Sequence, residues 1–506
     1  MNRHRTHSDS EPAGYAALIE RYELDVVPHW HTSFVATKGG HHTEKRTGTV
    51  IETYPKPYWP GDRLGDHLEF ALKYDGVNLG ILSAIFDVAD SGEIAAYIES
   101  KPISKYARCI WFFYEFLTGH ELPLEDLKRG NYVNLLDSSR YYTVEPGTRV
   151  RRQRVNNNLL GEPSFCPVIR RTEMLRRFEE SDLSTRCMQV LKRFPPDLIR
   201  RALSYLYTKE TKSSFEIEHI EPSSNRTEKF VAMLHLAERE DFCEKERLIE
   251  VQNRIVDPRF AAQDYRNSQT YVGETVTWQK ECIHYVCPKP EMVRDLMAGL
   301  ITLHRRMEQG QVHPVAQAAA VSYGLVFIHP FQDGNGRIHR FLIHNILARR
   351  RFSPPGIMFP VSAAMLNDPA EYDASLEAFS RQIMVLVNYT LDEKGEMTVH
   401  NDIAQWYRYI DMTAQTEALF GFIEKTITTE LEEELKFLEN YDRTKKAIQE
   451  IVDMPDRQID LFIRFCLQNN GRLSRRKRAS YFDVLTDDEI QQMEEAVRAG
   501  YGASLK

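Results

Sequence analysis

The stretch that decides the fold is His329-Pro-Phe-Gln-Asp-Gly-Asn-Gly-Arg-Ile-His-Arg340, because it joins two apolar segments of helical spacing. Residues 315–328, which precede it, place their apolar side chains as a buried helix does, and Pro330 ends that helix. From Arg337 onwards, apolar residues recur at helical spacing as far as residue 347. The sequence therefore predicts two core helices connected by a glycine-rich turn.

The turn itself has the composition of an anion-binding site. Gly334 and Gly336 lack side chains, so the backbone can approach a ligand closely. The helix that follows presents free N–H groups and the positive end of its dipole, and both favour phosphate. Arg337 and Arg340 are three residues apart, so they share one side of the first helical turn, where two guanidinium groups could hold a polyphosphate.

Two further side chains add chemistry to this phosphate cradle. One carboxylate together with phosphate oxygens is a common way to bind Mg²⁺, and Asp333 supplies that carboxylate. His329 is the nearby group whose ordinary pKa suits proton abstraction near neutral pH. A base, a metal ligand and a phosphate cradle so close together predict phosphoryl-type chemistry at a nucleotide. The chain has neither a G-x-x-x-x-G-K-[ST] loop nor a G-x-G-x-x-G fingerprint, which argues against P-loop, Rossmann and kinase folds.

The pattern His329-x-Phe-x-Asp-Gly-Asn-Gly-Arg-x-x-Arg340 resembles the signature of the Fic family at all eight fixed positions. A structural turn between two core helices is the alternative, but it explains neither the histidine nor the two arginines. The resemblance implies a protein adenylyltransferase, which moves AMP from ATP to a Tyr, Ser or Thr hydroxyl of a protein and releases pyrophosphate. A related branch that phosphorylates its target has a degenerate loop, so the intact Gly-Asn-Gly favours AMP transfer.

The resemblance also implies a role for each residue of the signature. His329 would deprotonate the target hydroxyl, and Asp333 would hold Mg²⁺ between the α- and β-phosphates of ATP. The anion hole would be formed by Gly334, Asn335 and Gly336. The outer phosphates would be held by Arg337 and Arg340.

Residues 265–273 and 283–288 resemble a second feature of the family, a β-hairpin called the flap. An extended segment of the target protein would pair with its edge through main-chain hydrogen bonds, which tolerate varied sequences. The target-binding residues would be Val272, Gly273, Tyr285 and Val286. An ordinary surface hairpin is the alternative. Together with Pro360-Val-Ser362 and Tyr372-x-x-x-Leu376, which resemble later core helices of the family, the likeness covers about residues 200–390.

Upstream, Ser214-x-x-x-Glu218 resembles the inhibitory motif of Fic proteins, and on a helix both residues lie on one face. The resemblance implies that Glu218 pairs with Arg340 and occupies the place of the γ-phosphate, so that the enzyme inhibits itself. His219 stands where the family has Gly or Asn, and Glu216 and Glu221 are rival carboxylates. The alternative is that Ser214 caps a helix and Glu218 is solvated.

These patterns predict a mainly α protein: a Fic-type helical core with a small β-hairpin flap, an N-terminal α+β region and a C-terminal helical region. Residues 1–40 are expected to be disordered or irregular, and residues 41–172 to form the α+β region. The Fic core is expected over 173–392, with the inhibitory motif at 214–219, and the helical domain over 393–506. Within the core, single helices are predicted over 173–210 and 369–391.

Composition restricts cofactors, partners and location. The chain has 506 residues, a net charge of −8, seven scattered cysteines and no apolar run long enough to span a membrane. We therefore expect a cytoplasmic protein that uses ATP and Mg²⁺, binds no membrane and modifies a protein target as well as itself. The basic residues 472–478 leave nucleic-acid contact open, although a solvated face is favoured. A leucine stripe at 431, 435 and 438 favours intramolecular packing over a dimer seam, and a homo-oligomer stays open.

Three functions are compatible with the sequence. The first is the AMP-transferring enzyme, autoinhibited by Glu218. The second is a Fic enzyme that transfers another phosphate-containing group or removes AMP, and the third is a non-catalytic regulator that only binds nucleotide. The presence of His329 argues against the third, because a binding module needs no base there. A metal hydrolase built from His313, His339 and His344 lacks supporting ligand spacing.

Overall fold

A computed structural model describes residues 10–46, 48–277 and 280–502 of the chain. Helices form most of this structure, and its strands lie in small sheets of two to four strands. The mainly α class predicted from the sequence is therefore confirmed.

The N-terminal region combines a four-stranded sheet with five helices. Its elements are β1 (Ser10–Ala13), α1 (Tyr15–Arg21), β2 (His31–Ala36), β3 (His42–Arg46), β4 (Thr49–Tyr54), α2 (Leu64–Phe70), α3 (Leu79–Val88), α4 (Ser91–Ser100) and α5 (Lys105–Thr118). The strand order is β1-β2-β4-β3, with β2 parallel to β4 and the other neighbours antiparallel.

The prediction of an irregular segment over residues 1–40 is wrong for its described part, which contains β1, α1 and β2; residues 1–9 lie outside the described residues. The polar residues His31 and Ser33 of β2 are buried. Both bond the carboxylate of Asp75, which also accepts the backbone N–H of Tyr15 at 3.0 Å. These polar side chains can be buried because a carboxylate from a distant part of the chain bonds them. No local sequence pattern indicates such a contact.

The central region begins after a small three-stranded sheet made of β5 (Val133–Asn134), β6 (Thr148–Val150) and β7 (Val155–Asn157), in the order β5-β7-β6. Its elements are α6 (Glu173–Glu180), α7 (Leu183–Leu191), α8 (Pro196–Glu216), α9 (Ser224–Leu236), α10 (Lys245–Ile255), β8 (Tyr271–Thr277), β9 (Lys280–Val286), α11 (Pro290–Gln309), α12 (Pro314–Ile328), α13 (Asn335–Arg349), α14 (Val361–Asn367) and α15 (Pro369–Met384). Helix α12 is apolar around its whole circumference, and it is buried between α11, α13 and a C-terminal helix.

Two of the predicted helices differ from the structure. The helix expected over 173–210 is divided into α6, α7 and the start of α8, because Asp182 has a left-handed φ of 42° and Pro195 and Pro196 begin a new helix. The helix expected over 369–391 ends at Met384, and the residues after it form a short strand.

The C-terminal region consists of β10 (Tyr389–Leu391), β11 (Met397–Val399), α16 (Ala404–Arg408), α17 (Thr413–Lys425), α18 (Leu431–Ile451), α19 (Asp456–Leu467), α20 (Arg475–Tyr481) and α21 (Asp487–Tyr501). The main hydrophobic core continues into α18, where Leu431 and Leu435 are buried and Leu438 packs against them. The leucine stripe is thus intramolecular core. A second, smaller core occupies residues 448–501, so the predicted boundary at 393 falls inside the main core.

Two further features of the structure are the apolar length of its helices and the state of its cysteines. No helix within the described residues has the length and apolar character needed to cross a bilayer. All seven cysteines are unpaired, and Cys282 alone among them is exposed.

Candidate active site

The loop after α12 holds the imidazole of His329 in a defined orientation. His329 takes a left-handed backbone conformation (φ 54°, ψ 59°) that ends the helix, and its N–H donates to the carbonyl of Leu325 at 2.8 Å. Ring atom Nδ1 lies 3.2 Å from the carbonyl oxygen of Val326. A carbonyl can only accept, so Nδ1 carries the proton and Nε2 keeps its lone pair. The side chain lines a cleft and can accept a proton there.

The surroundings of His329 keep its ring neutral. Burial lowers the pKa of His329 to about 4, and the positive charge of Arg266 acts in the same direction. The bond to the Val326 carbonyl and the charge of Asp333 oppose this shift but do not cancel it. At neutral pH the imidazole is therefore in the form that a general base requires.

The lowered pKa of His329 predicts that its ring does not titrate near neutral pH. Because the folded-state pKa lies below the ordinary value of about 6.5, His329 should stay neutral on acidification until the pH approaches 4. We expect the Cε1–H resonance of His329, in protein labelled selectively at histidine and assigned with His329→Ala, to stay constant between pH 8 and about 5. A midpoint near 6.5 would contradict the burial described here.

Helix α13 begins at the glycine-rich turn and presents its first N–H groups to the cleft. Gly334 caps it in a left-handed conformation (φ 94°, ψ 0°), which glycine adopts without strain. The side chain of Asn335 faces inward: it accepts the Phe331 N–H at 3.0 Å and donates to the Phe331 carbonyl at 2.7 Å. The side chain of Asn335 therefore braces the turn from within, whereas the resemblance implied that Asn335 forms part of the anion hole.

A buried glutamine that the sequence did not point to also supports this turn. Gln252 on α10 is 1% exposed, and its amide nitrogen donates to the carbonyls of Asp333 (3.2 Å) and Phe260 (3.1 Å). Its amide oxygen accepts the N–H of Ala262 at 2.9 Å. The distance of about eighty residues between Gln252 and the turn hid this role, because no local pattern marks such a contact.

We expect Gln252→Leu to lower the free energy of unfolding by about 1–3 kcal/mol, because it leaves buried backbone groups without partners. Urea denaturation followed by circular dichroism measures the change. Arg254→Leu, on the same helix but half-exposed, is the matched control; it loses a surface ion pair with Glu250 and should cost below about 1 kcal/mol. Equal losses for the two variants would show that Gln252 has no special bracing role.

Both signature arginines are buried, and one carboxylate bridges them. Arg337 and Arg340 are each 1% exposed. Glu218 places Oε2 at 2.6 Å from Arg337 Nε and Oε1 at 2.8 Å from Arg340 Nη2. The contact with Arg340 matches the expectation from the motif, and the contact with Arg337 adds to it. Although burial disfavours the charged form of Arg340, the neighbouring Glu218 raises its pKa.

Other partners fix the directions of these guanidinium groups. Arg340 Nε donates to Ser214 Oγ at 2.9 Å and its Nη2 to the Ser214 carbonyl at 2.5 Å. Arg337 donates to Asp333 Oδ1 at 2.7 Å and to the carbonyl of Ile255 at 2.9 Å. Ser214 is thus a hydrogen-bond partner of Arg340. It does not cap a helix, because it lies within α8, two residues before the helix ends.

Asp333 fits the role of a magnesium ligand. Its side chain is 44% exposed, lines the cleft and uses Oδ1 for Arg337, so the second oxygen can take another ligand. Mg²⁺ binds at one or two carboxylates and completes its shell with water and substrate phosphates. A single carboxylate beside an anion site satisfies that requirement.

The cleft has a volume of about 960 Å³ and is bounded by the end of α8, strand β9, the signature turn and α15. This volume is ample for a nucleotide. On the flap, Tyr285 donates to the carbonyl of Phe327 at 2.5 Å, and Tyr407 donates to the carbonyl of Val286 at 2.7 Å. Tyr285 and Val286 are buried anchors, whereas Val272 is 41% exposed. Gly273 pairs with Ile283 next to a register shift.

Arg266 joins the flap to the signature turn, a role that the flap resemblance alone did not give. This side chain is 6% exposed, and its guanidinium donates to backbone carbonyls only in the contacts observed. The acceptors are His329 (2.7 Å) and Ile328 (3.4 Å) at the turn, and Ser268 (2.8 Å) and Pro288 (2.6 Å) at the base of the flap. Its own N–H donates to the Pro330 carbonyl at 2.8 Å.

The three histidines considered for a metal hydrolase do not converge. His344 bonds Glu210 at 2.6 Å, His339 packs edge-on against Tyr323, and His313 caps α12 through the N–H of Val315. Groups of three potential metal ligands do occur within the described residues, but they contain none of these histidines.

Known proteins are similar to the part of the chain that contains this site. Residues 242–347 match the model of the Fic/DOC family. The chain is similar to the protein adenylyltransferase Fic of Aedes aegypti, with 34% identity over 122 residues that cover 24% of this chain and 22% of the relative. The protein adenylyltransferase Fic of Nematostella vectensis is 33% identical over 114 residues, which cover 22% and 24% of the two chains. The match thus spans less than a quarter of the length of these relatives.

Two solved structures are also similar to the chain. A Fic family protein from Desulfovibrio desulfuricans G20 has a TM-score of 0.36 and 17% identity, over 66% of this chain and 88% of the other. A Fic domain containing signaling protein from Bacteroides thetaiotaomicron VPI-5482 has a TM-score of 0.37 and 16% identity, over 51% and 96%. Over residues 242–347 the chain is thus similar to the Fic/DOC family, and the complete signature at 329–340 lies within this range.

Proposed function

We propose that this chain is a protein adenylyltransferase that transfers AMP from ATP to a Tyr, Ser or Thr hydroxyl of a protein. The observation that carries the proposal is the orientation of His329, whose Nδ1 is bonded to the Val326 carbonyl, in a cleft that is also lined by the buried Arg340. A module that only binds nucleotide needs the arginines but not an oriented base. The names of the relatives, protein adenylyltransferase, support the same activity.

The residues fit an in-line displacement at the α-phosphorus. His329 Nε2 takes the proton of the target hydroxyl while that oxygen forms a bond to the α-phosphorus. The bond between the α-phosphorus and the oxygen that bridges to the β-phosphate breaks, and pyrophosphate leaves. The N–H groups at the start of α13, around Gly334 to Gly336, face the developing charge, and Arg337 and Arg340 hold the leaving phosphates. Magnesium, held by Asp333, would neutralise charge on the phosphates.

Glu218 acts as an internal inhibitor in this proposal. Two buried guanidinium groups need a nearby negative charge, because an unpaired buried charge is strongly unfavourable. In the structure Glu218 supplies that charge to both Arg337 and Arg340. Phosphates of ATP would have to displace or share it, so the carboxylate and the nucleotide compete for the same two cations.

The flap supplies the docking edge for the target. Val272 is exposed near the cleft, and the anchored residues Tyr285 and Val286 keep β9 along its rim. An extended segment could add to this edge through main-chain bonds. Self-modification follows when a segment of the same protein binds there.

The location we propose is the cytoplasm, because the cysteines of the chain are unpaired.

Labelled nucleotide tests the proposal. Wild type and Glu218→Gly are incubated with Mg²⁺, cell lysate and ATP labelled at either the α- or the γ-phosphate. We expect protein-bound label from α-labelled ATP and none from γ-labelled ATP, with the modified hydroxyl located by mass spectrometry. Label from the γ-position would assign phosphate transfer instead. Absence of label from both would reject a transferase, and release of AMP from pre-modified protein would assign its removal.

A further inference from the structure

Three side chains that commonly bind transition metals lie together on the flap. Glu274 on β8 pairs with Cys282 on β9, and His284 follows two residues later on the same face of its strand. Their ligand atoms all lie within 4.8 Å of one another, and His284 Nε2 is 3.7 Å from Glu274 Oε1. Glu274 and His284 are 71% and 53% exposed, and Cys282 is the exposed cysteine of the chain.

We propose that these three residues form a binding site for Zn²⁺. A thiolate, an imidazole nitrogen and a carboxylate oxygen are the ligand types that zinc prefers, at about 2.0–2.3 Å from the ion. Ligand atoms around a tetrahedral ion of that size are roughly 3.5 Å apart, which is close to the His284–Glu274 distance. Small rotations of exposed side chains complete the site. Three protein ligands leave the fourth position to water or to an incoming group.

A second group of potential ligands in the described residues already has an arginine beside it. Asp241, His304 and Glu308 also lie close together, but the guanidinium of Arg349 is 3.0 Å from Asp241 and 3.4 Å from His304. A fixed positive charge already balances that cluster, so a metal ion would be repelled there. The flap cluster instead contains a cysteine sulfur, a soft ligand that favours zinc over magnesium.

A metal at this place would join the two strands of the flap. His284 also lines the cleft, so the occupied site stands where a target chain would enter. This consequence rests on the proposed function, because it concerns target docking. The metal site itself does not depend on AMP transfer, and its test uses binding alone.

Cobalt and zinc binding to the full chain tests the site. Titration with Co²⁺ should produce the thiolate-to-metal absorption band and tetrahedral d–d bands, and Zn²⁺ should displace them. Cys282→Ser should abolish the thiolate band, and His284→Ala should weaken Zn²⁺ binding, measured against a chromophoric chelator, by at least ~10-fold. His42→Ala removes an exposed histidine from a strand of another hairpin and is the matched control, with no expected change.

Protection from alkylation gives a second readout. The other six cysteines are buried, so brief treatment of the native protein with iodoacetamide should modify Cys282, as peptide mass spectrometry would detect. Micromolar Zn²⁺ should slow this modification at least ~10-fold, a chelator should restore it, and millimolar Mg²⁺ should have no effect. A Co²⁺ complex without a thiolate band, or equal zinc affinity in wild type and His284→Ala, would overturn the proposal.

Discussion

We expect replacement of His329 by alanine to lower the rate of the proposed AMP transfer by at least ~10²–10⁴-fold, the usual contribution of a positioned general base. The reason is geometric: Nδ1 is held by the Val326 carbonyl, so Nε2 is the atom that receives the proton, and alanine offers no substitute. The comparison is made in the Glu218→Gly background, where we expect a higher starting activity. Single-turnover transfer of label from α-labelled ATP measures the rate.

Two controls separate the loss of a base from the loss of the site. Binding of ATP, measured by calorimetry, should be unchanged within about threefold, because His329 makes no ion pair with the arginines that hold the phosphates. His339→Ala changes a histidine of the same signature that is buried against Tyr323, and it should affect stability more than the chemical step. Retention of full transfer in His329→Ala would contradict the assignment of the base.

We expect replacement of Glu218 by glycine to raise the proposed self-modification several-fold to a hundredfold. Such a change corresponds to a coupling free energy of about 1–3 kcal/mol, which is typical of regulation between two ligands of one site. The physical cause is that Arg337 and Arg340 lose their carboxylate and become available to the phosphates of ATP. The measurement is incorporation of label from α-labelled ATP into the purified protein.

The same variant should also respond more strongly to ATP in thermal unfolding. Without nucleotide, the buried Arg340 lacks a counter-charge and Arg337 keeps only Asp333, so the protein is less stable. ATP restores the charge, so the rise in Tm on adding ATP and Mg²⁺ should exceed that of wild type. Glu221→Gly is the matched control, since this exposed neighbour was the rival carboxylate and should leave both readouts unchanged. If Glu221→Gly activates the protein equally, Glu218 is not the inhibitor.

The sequence predicted the parts of the site that are contiguous. The signature turn, the helices on both sides of it and the pairing of Glu218 with Arg340 were expected, because spacing within a helix fixes which side chains share a face. The mainly α fold followed from apolar periodicity in the same way. These features depend on residues that are close in the chain or on a motif that is short and specific.

The parts that the sequence did not predict depend on remote partners. Gln252 and Arg266 contact the signature turn from other elements, and only the packed fold shows that their polar groups are satisfied there. The orientation of Asn335 was missed because an amide can either face a ligand or close a turn, and its identity does not decide between them. The buried carboxylate of Asp75 had the same effect on the N-terminal sheet.

The planar guanidinium of Arg266 has one further implication for the proposed reaction. It bonds the carbonyls of His329 and Ile328 at the signature turn and those of Ser268 and Pro288 at the base of the hairpin, so it holds the turn and the hairpin in a fixed relation. A polypeptide laid along the hairpin would arrive at one fixed height above the ring, whatever its amino acids. Discrimination among substrates must then come from the groups that flank the accepting oxygen.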